Sequence, residues 1–299
     1  MKKPAPLLVH GALILVSLIY GLNYISLKTI TPTPIVPTAL LVVRSNGAFL
    51  FIWLLCELTG IRQKVVHWKH WLQLVLCGIC GASANQLLFF SGISRTSAFN
   101  ASLIVISIPI FVFLIAYLQK QEKLSWQKLL GICLGMLGAV LIIVQSAQKS
   151  NAADDSMGDI LIILNCILFA IYLNIVKPLT KHYPPLFIAK WMFLFGGIIS
   201  LPFGWHDVVA TPWHSMSTAQ YAVLFSLVVI VTSAGYVVNT WALKFANATS
   251  VSFYIYLQPF FTGIGSAIFL QHNDFGWQKI LSVVLIFVGV YFVNKKIGT

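Results

Sequence analysis

Acid is what this sequence has least of. Aspartate and glutamate together number seven in 299 residues, and all charged residues make up 9% of the chain, where a soluble domain carries about 25%. With 59% hydrophobic residues, a globule of this size would have to turn apolar surface toward water. The composition therefore excludes an ordinary soluble protein and points to lipid as the solvent. The acid that exists avoids the interior. Glu57 and Asp159 stand at the ends of apolar runs and Glu122 lies in a connector, so a proton relay of buried carboxylates has no residue to use.

Metal ligands and nucleophiles are missing too. The histidines sit near run ends or in connectors, and the closest pair, His67 and His70, lies in the basic stretch 62–70. Neither an H-E-x-x-H helix nor a G-x-S-x-G elbow occurs. No metal, no cofactor and no catalytic residue is assigned, which argues against an enzyme. The five cysteines, Cys56, Cys77, Cys80, Cys133 and Cys166, all fall in apolar segments. Cys77 and Cys80 form a C-x-x-C, but Leu76, Gly78, Ile79 and Gly81 deny it the polar setting a redox pair needs. They read as small apolar filler.

What is present is a series of apolar runs. A spanning helix needs about 20 mostly apolar residues. Ten runs qualify, at 9–30, 35–58, 71–93, 97–118, 126–147, 157–177, 185–204, 219–243, 248–270 and 276–294. Met1-Lys2-Lys3 ahead of the first run resembles a secretory signal, but no small-x-small cleavage site follows and more spans do, so an uncleaved first helix is expected. The formal charge of +12 lies between apolar blocks rather than along one face. It predicts contact with anionic lipid headgroups and no nucleic acid. With the N-terminus in the cytoplasm, Lys2, Lys3, Arg62, Lys64, Lys69, Lys120, Lys123, Lys128, Lys177, Lys181, Lys244, Lys295 and Lys296 gather on that side; Lys28, Arg95, Lys149 and Lys279 face the other. The positive-inside rule then places both termini in the cytoplasm.

The chain repeats itself. Trp126-Gln127-Lys128-Leu129-Leu130 recurs as Trp277-Gln278-Lys279-Ile280-Leu281, and at nearly the same offset Ala98 matches Ala248, Ser102 matches Ser252, Pro109 matches Pro259 and Gly138 matches Gly289. Two halves follow, 1–147 and 157–299, joined by a polar linker at 148–156. Five spans per half is an odd number, so the second half enters the membrane inverted, a plan that places a binding site between the halves. Pro109 and Pro259, in corresponding spans, free backbone groups and are expected to act as hinges or cavity walls.

These residues resemble the drug/metabolite transporter superfamily, in its EamA-type ten-helix branch, over essentially the whole chain. Tyr20-Gly21-Leu22-Asn23 through Lys28 is similar to the family's aromatic-Gly-x-Asn…Lys pattern, and Glu122-Lys123-Leu124-Ser125 with Trp126, Gly131 and Gly138 resembles its signature at the fifth span. The second copy departs from it, with Asn273 in the acidic position and Ser282 in place of the first glycine. The resemblance implies an all-α integral membrane protein, a ten-helix basket around a central cavity lined by spans one, three, four, six, eight and nine. It also implies metabolite or amino-acid transport, often efflux, without a cofactor.

Polar groups within the runs are the candidate cavity. Arg44 lies near the middle of the second run, either as a structural cation met by carbonyls or by Ser45 and Asn46, or as a substrate-facing charge. Uncharged candidates are Asn23 and Tyr24, Asn85 and Gln86, Ser102, Asn165 and Tyr172, Tyr236 and Asn239, Ser252 and Tyr256, and Tyr254 and Gln258, the later pairs each sharing a helix face. Each can equally serve as a helix–helix hydrogen bond. Lys28 and Lys177 read as interfacial anchors and Lys190 as a snorkelling cation. The expectation is a transporter, in a bacterial inner membrane, of a small zwitterionic or anionic metabolite such as an amino acid. It works as an exporter by alternating access; the rival readings are a non-transporting scaffold and an intramembrane enzyme. Reporter fusions to the first and last residues should report the same, cytoplasmic, face; opposite faces would contradict an even number of crossings.

Overall fold

The computed structural model describes residues 4–31, 33–93, 95, 104–147, 156–270 and 277–294. All regular structure among them is helical. In chain order the helices are α1 (Pro6–Ile30), α2 (Pro37–Leu58), α3 (68–93), α4 (Ile108–Leu118), α5 (Trp126–Ala147), α6 (Ser156–Leu179), α7 (Pro185–Ala210), α8 (Thr218–Phe245), α9 (248–270) and α10 (Trp277–Asn294). Among the described residues six stretches are long and apolar enough to cross a bilayer: Pro6–Leu27, Pro37–Leu58, Trp68–Gly92, Met157–Leu179, Pro185–Ala210 and Thr218–Phe245. Ile108–Leu118 and Ile280–Val293 are shorter apolar helices. The outer surface carries Trp53, Leu54, Leu114, Leu137, Phe203, Phe225, Ile230 and Phe287 exposed, a surface suited to lipid chains.

Proline sets several starts. It occupies the first turn of α1, α2, α4 and α7, where its fixed φ fits and its missing N–H would have had no partner. A capping box between Ser217 and Gln220 opens α8. Because Pro6 and Trp68 start their helices, α1 and α3 begin before the expected 9 and 71. The seventh run was expected to end at 204, yet α7 continues through Pro202 to Ala210. Packing outweighs the lost hydrogen bond there: Gly204 lies against the Thr38 backbone of α2, and Thr38 Oγ1 donates to the Asp207 carboxylate.

Two antiparallel pairs frame the bundle. In α2–α7, Asn46 packs on Gly197 while Thr38 packs on Gly204. In α5–α10, a Cβ on Gly131 would lie 2.8 Å from the Gly289 carbonyl oxygen, and one on Gly138 would lie 2.6 Å from that of Ser282. Backbone-to-backbone contact of this kind suits a membrane, where apolar bulk gives no preference for protein over lipid.

Three helices change their winding. α3 contains a π-helical segment at Gly78–Ser83 and α8 one at Leu227–Ala234. α9 passes through a 3₁₀ segment at Phe253–Leu257. Pro259 is the second residue of the α-helix that follows it, and Pro109 the second residue of α4, directly after a turn at 106–107. The prolines thus mark helix restarts rather than kinks in continuous spans. Most of the linker, at 148–155, lies outside the described residues. Gly138→Ala should destabilise the protein by roughly 1–3 kcal/mol through overpacking, lowering its melting temperature in detergent by several degrees. Gly11→Ala, with no atom within 4 Å of the added carbon, should leave it unchanged.

Candidate functional site

The two π segments border one polar centre, a chamber that Ala82 of α3 and Thr232 of α8 line together. A π turn leaves backbone carbonyls without the usual partner, and side chains take them up. Thr232 Oγ1 donates to Leu227 O (2.7 Å), Ser233 Oγ to Val228 O (2.8 Å) and Ser83 Oγ to Gly78 O (3.2 Å). Carbonyls of α3 also hold neighbouring helices: Tyr236 Oη donates to Gly81 O (2.8 Å) and Ser45 Oγ to Ala82 O (3.2 Å).

Arg44 of α2 points into this centre. It is 6% exposed, and its Nε donates to Thr232 Oγ1 at 3.0 Å. The expected partners do not serve it: Ser45 bonds Ala82 O, and Asn46 Nδ2 donates to Val42 O (2.9 Å). Among the described residues no carboxylate lies within 4 Å of the guanidinium. It borders a chamber with Leu41, Gln86, Phe90, Phe193 and Tyr236, whose free volume of about 10 Å³ is room for one water.

A tyrosine septum closes one side. The Tyr236 ring packs against Tyr20 (6.3 Å between centroids), Tyr172 (5.9 Å) and Phe193 (5.2 Å). Beyond it lies a second chamber of about 30 Å³, bordered by Ser17, Tyr20, Asn239, Ser252, Tyr254 and Gln258. Neither has room for a metabolite in this conformation. Among the described residues, the buried oxygens Tyr20 Oη and Asn23 Oδ1 on one face of α1 have no hydrogen-bond partner, and the same holds for buried polar atoms of Gln127, Asn174, Trp191, Thr249 and Tyr256 elsewhere. Each costs about 1–3 kcal/mol unless something binds there.

The remaining candidates divide. Asn85 and Asn165 lock α3 to α6: Asn85 Nδ2 donates to Asn165 O (3.0 Å) and Asn165 Nδ2 to Asn85 O (2.8 Å). Gln86 Nε2 reaches Tyr236 Oη at 3.3 Å, and Tyr172 Oη pairs with Thr240 Oγ1 at 3.4 Å. Tyr254 Oη meets His10 Nδ1, and its carbonyl accepts from Ser17 Oγ. Ser252 Oγ bonds back to Thr249 O. Tyr256 lies away from both chambers, its ring against Gly135 and Phe253 in the α5–α9–α10 contact. Ser102 lies outside the described residues, as do the side chains of Tyr24, Lys28 and Pro259.

One lysine differs from expectation. Lys177 is no lipid anchor: its ammonium donates to the Leu243 and Ala246 carbonyls at the end of α8, which helix geometry leaves unpaired. Lys190 lies over the Phe187 and Trp191 rings, at 5.6 and 5.3 Å from their centroids. Sequence reading missed Tyr20, Thr232 and Phe193. Tyr20 had a signal, since it precedes Asn23 by three residues on one face; the other two had none.

A solved structure shares this fold, with a TM-score of 0.77 at 13% identity over 97% of this chain and 98% of that one. An uncharacterized transporter of Archaeoglobus fulgidus is 27% identical over 76% of this chain and 78% of its own length. A probable terminal-alkyne amino-acid exporter of Streptantibioticus cattleyicolor is 25% identical over 62% of this chain and 61% of its own. The sequence profile of the EamA-like transporter family matches twice, over residues 7–144 and 156–295. With membrane-length apolar helices around a buried polar centre, this integral membrane protein belongs to the EamA-like transporter family.

Proposed function

We propose that the protein exports a small zwitterionic or anionic metabolite, an amino acid or a close relative, by alternating access around the Arg44–Tyr236 centre. The observation that carries this reading is the charge on Arg44. An arginine at the bilayer middle costs about 2.5–3.5 kcal/mol on insertion scales. A lone hydroxyl partner, Thr232, does not neutralise it. A carboxylate on the solute would, through paired charge-assisted hydrogen bonds. The unpartnered oxygens of Tyr20 and Asn23 supply acceptors for an ammonium or hydroxyl on the same solute.

The proposed topology is ten spans in two inverted halves, 1–147 and 157–299, with both termini cytoplasmic. Contacts support it. Under the sequence repeat Gly131 corresponds to Ser282 and Gly138 to Gly289, and the observed contacts are Gly131 with Gly289 and Gly138 with Ser282, each the image of the other. The π segments start at Gly78 and Leu227, in corresponding helices. The family profile matches each half separately. Pro109 and Pro259, at helix restarts, are the proposed hinges, and the absence of acid in the runs makes solute exchange or facilitated export the expected mode.

Proteoliposome flux of a panel of radiolabelled amino acids and monocarboxylates tests this. Arg44→Gln should reduce flux of the transported solute by about 10–100-fold, the loss expected for one charged hydrogen-bonding partner, with Arg44→Lys recovering part of it. Undiminished flux in folded Arg44→Gln, or no flux of any panel member in the wild type, would contradict the proposal.

A further inference from the structure

A second polar constellation lies outside the centre, where the connectors after α4, α6 and α8 converge. The turn between α8 and α9 brings the C-terminus of one helix to the N-terminus of the next, with opposite partial charges. Each receives a side chain of matching sign from elsewhere. Lys177 of α6 donates to Leu243 O and, at 2.7 Å, to Ala246 O. Glu122, from the connector after α4, accepts from the Thr249 backbone N–H at 3.4 Å, at a helix start where Asn247 provides no side-chain cap. The Glu122 side chain is only 5% exposed and pairs with Lys128 of α5. A buried carboxylate on a helix N-terminus is held both by that terminus and by its cation.

The placement matters more than the pairing. Glu122 and Lys128 belong to the first half of the chain, and Lys177 with the 243–249 turn belongs to the second. Directly beneath the turn, Ser252 borders the second chamber. Glu122 thus ties the first half of the chain to the start of α9, the helix whose Ser252, Tyr254 and Gln258 border that chamber.

We propose that Glu122 is the gate residue of this face, a positioning residue that holds the α8–α9 turn of the second half against the first and so keeps the chamber beneath it shut. Lys128 fixes the carboxylate, and Lys177 stiffens the turn it grips. The proposal rests on the reading of the protein as an alternating-access transporter, but its test needs no solute. Removing the negative charge shifts the balance between closed and open states without touching the Arg44 centre, which lies on the other side of the tyrosine septum.

The experiment uses the full-length protein carrying Ser252→Cys, reconstituted in vesicles of each orientation. The probe is a membrane-impermeant maleimide, read by peptide mass spectrometry. Cys77 and Cys166, both fully buried, are internal controls. Adding Glu122→Gln should raise the labelling rate at position 252 about fivefold or more, from the Glu122 face only, with both controls silent; Glu122→Asp should return it toward the starting rate. No change at position 252, or labelling that rises there and at both controls together with a fall in melting temperature, would overturn the gate. Because accessibility is read rather than flux, a failure here leaves the Arg44 result standing, and the reverse holds too.

Discussion

Inside hydrocarbon no water is available to a backbone amide, so every N–H and C=O must find its partner within the protein. That constraint produces the all-helical architecture, and it also explains how the centre is made. Each π segment leaves carbonyls to be claimed by hydroxyls: Gly78 and Leu227 by Ser83 and Thr232 of their own helices, and Gly81 and Ala82 by Tyr236 and Ser45 from α8 and α2. Polar side chains are held in the interior by backbone groups that the change of winding released. The same event therefore organises the helices and collects the polar groups that face the chambers.

Against that thoroughness, the incomplete pairings stand out. Glu122 has Lys128 and Thr249, Asp207 has Thr38, Lys177 has two carbonyls and Lys190 has two aromatic faces. Arg44 has one hydroxyl for a charge that is nearly inaccessible, and Tyr20 and Asn23 each leave a buried oxygen unpaired. Groups left this way reduce stability; Gln127, Asn174, Trp191, Thr249 and Tyr256 each carry one as well, whereas Arg44 adds a charge that its one hydroxyl does not balance. Under the proposed function a solute that visits and departs would satisfy Arg44, whereas Asn85 and Asn165 already satisfy each other's backbone.

The membrane class and the all-helical architecture were legible because they are written in composition and in long apolar runs. Arg44 was legible as well, since a cation in the middle of an apolar run is a visible anomaly. Which side of each two-sided reading would prevail was not. Asn85 and Asn165 have the same sequence setting as Asn239, yet the first two bond each other's backbone while Asn239 borders a chamber. Tyr256 and Tyr254 are two residues apart, and the 3₁₀ winding of 253–257 alters the faces that an ideal α-helix would assign them. Nothing in the sequence announces the π segments, so Thr232 could not be chosen from the many hydroxyls in the chain. Lys177 looked like an anchor because the carbonyls it meets are more than sixty residues away.

Where the winding changes is itself informative. The framing pairs α2–α7 and α5–α10 are wound as α-helix throughout their described lengths, but close backbone approach is not theirs alone. Gly78, at the start of the α3 π segment, lies against the Gly196 backbone of α7, and Gly21 of α1 lies against the Gln258 carbonyl of α9. The irregularities fall in α3, α8 and α9 and at the start of α4, all of which border the chambers or pack on helices that do. A backbone contact through glycine leaves no side chain whose rotamer can absorb a displacement. In the interrupted helices several carbonyls carry side-chain donors: Leu227, Val228 and Gly78 in the π segments and Tyr254 in the 3₁₀ segment. Regular and interrupted helices therefore share the walls of the centre: α2 brings Leu41 and Arg44 and α7 brings Phe193, while α3 brings Ala82 and Gln86 and α8 brings Thr232 and Tyr236.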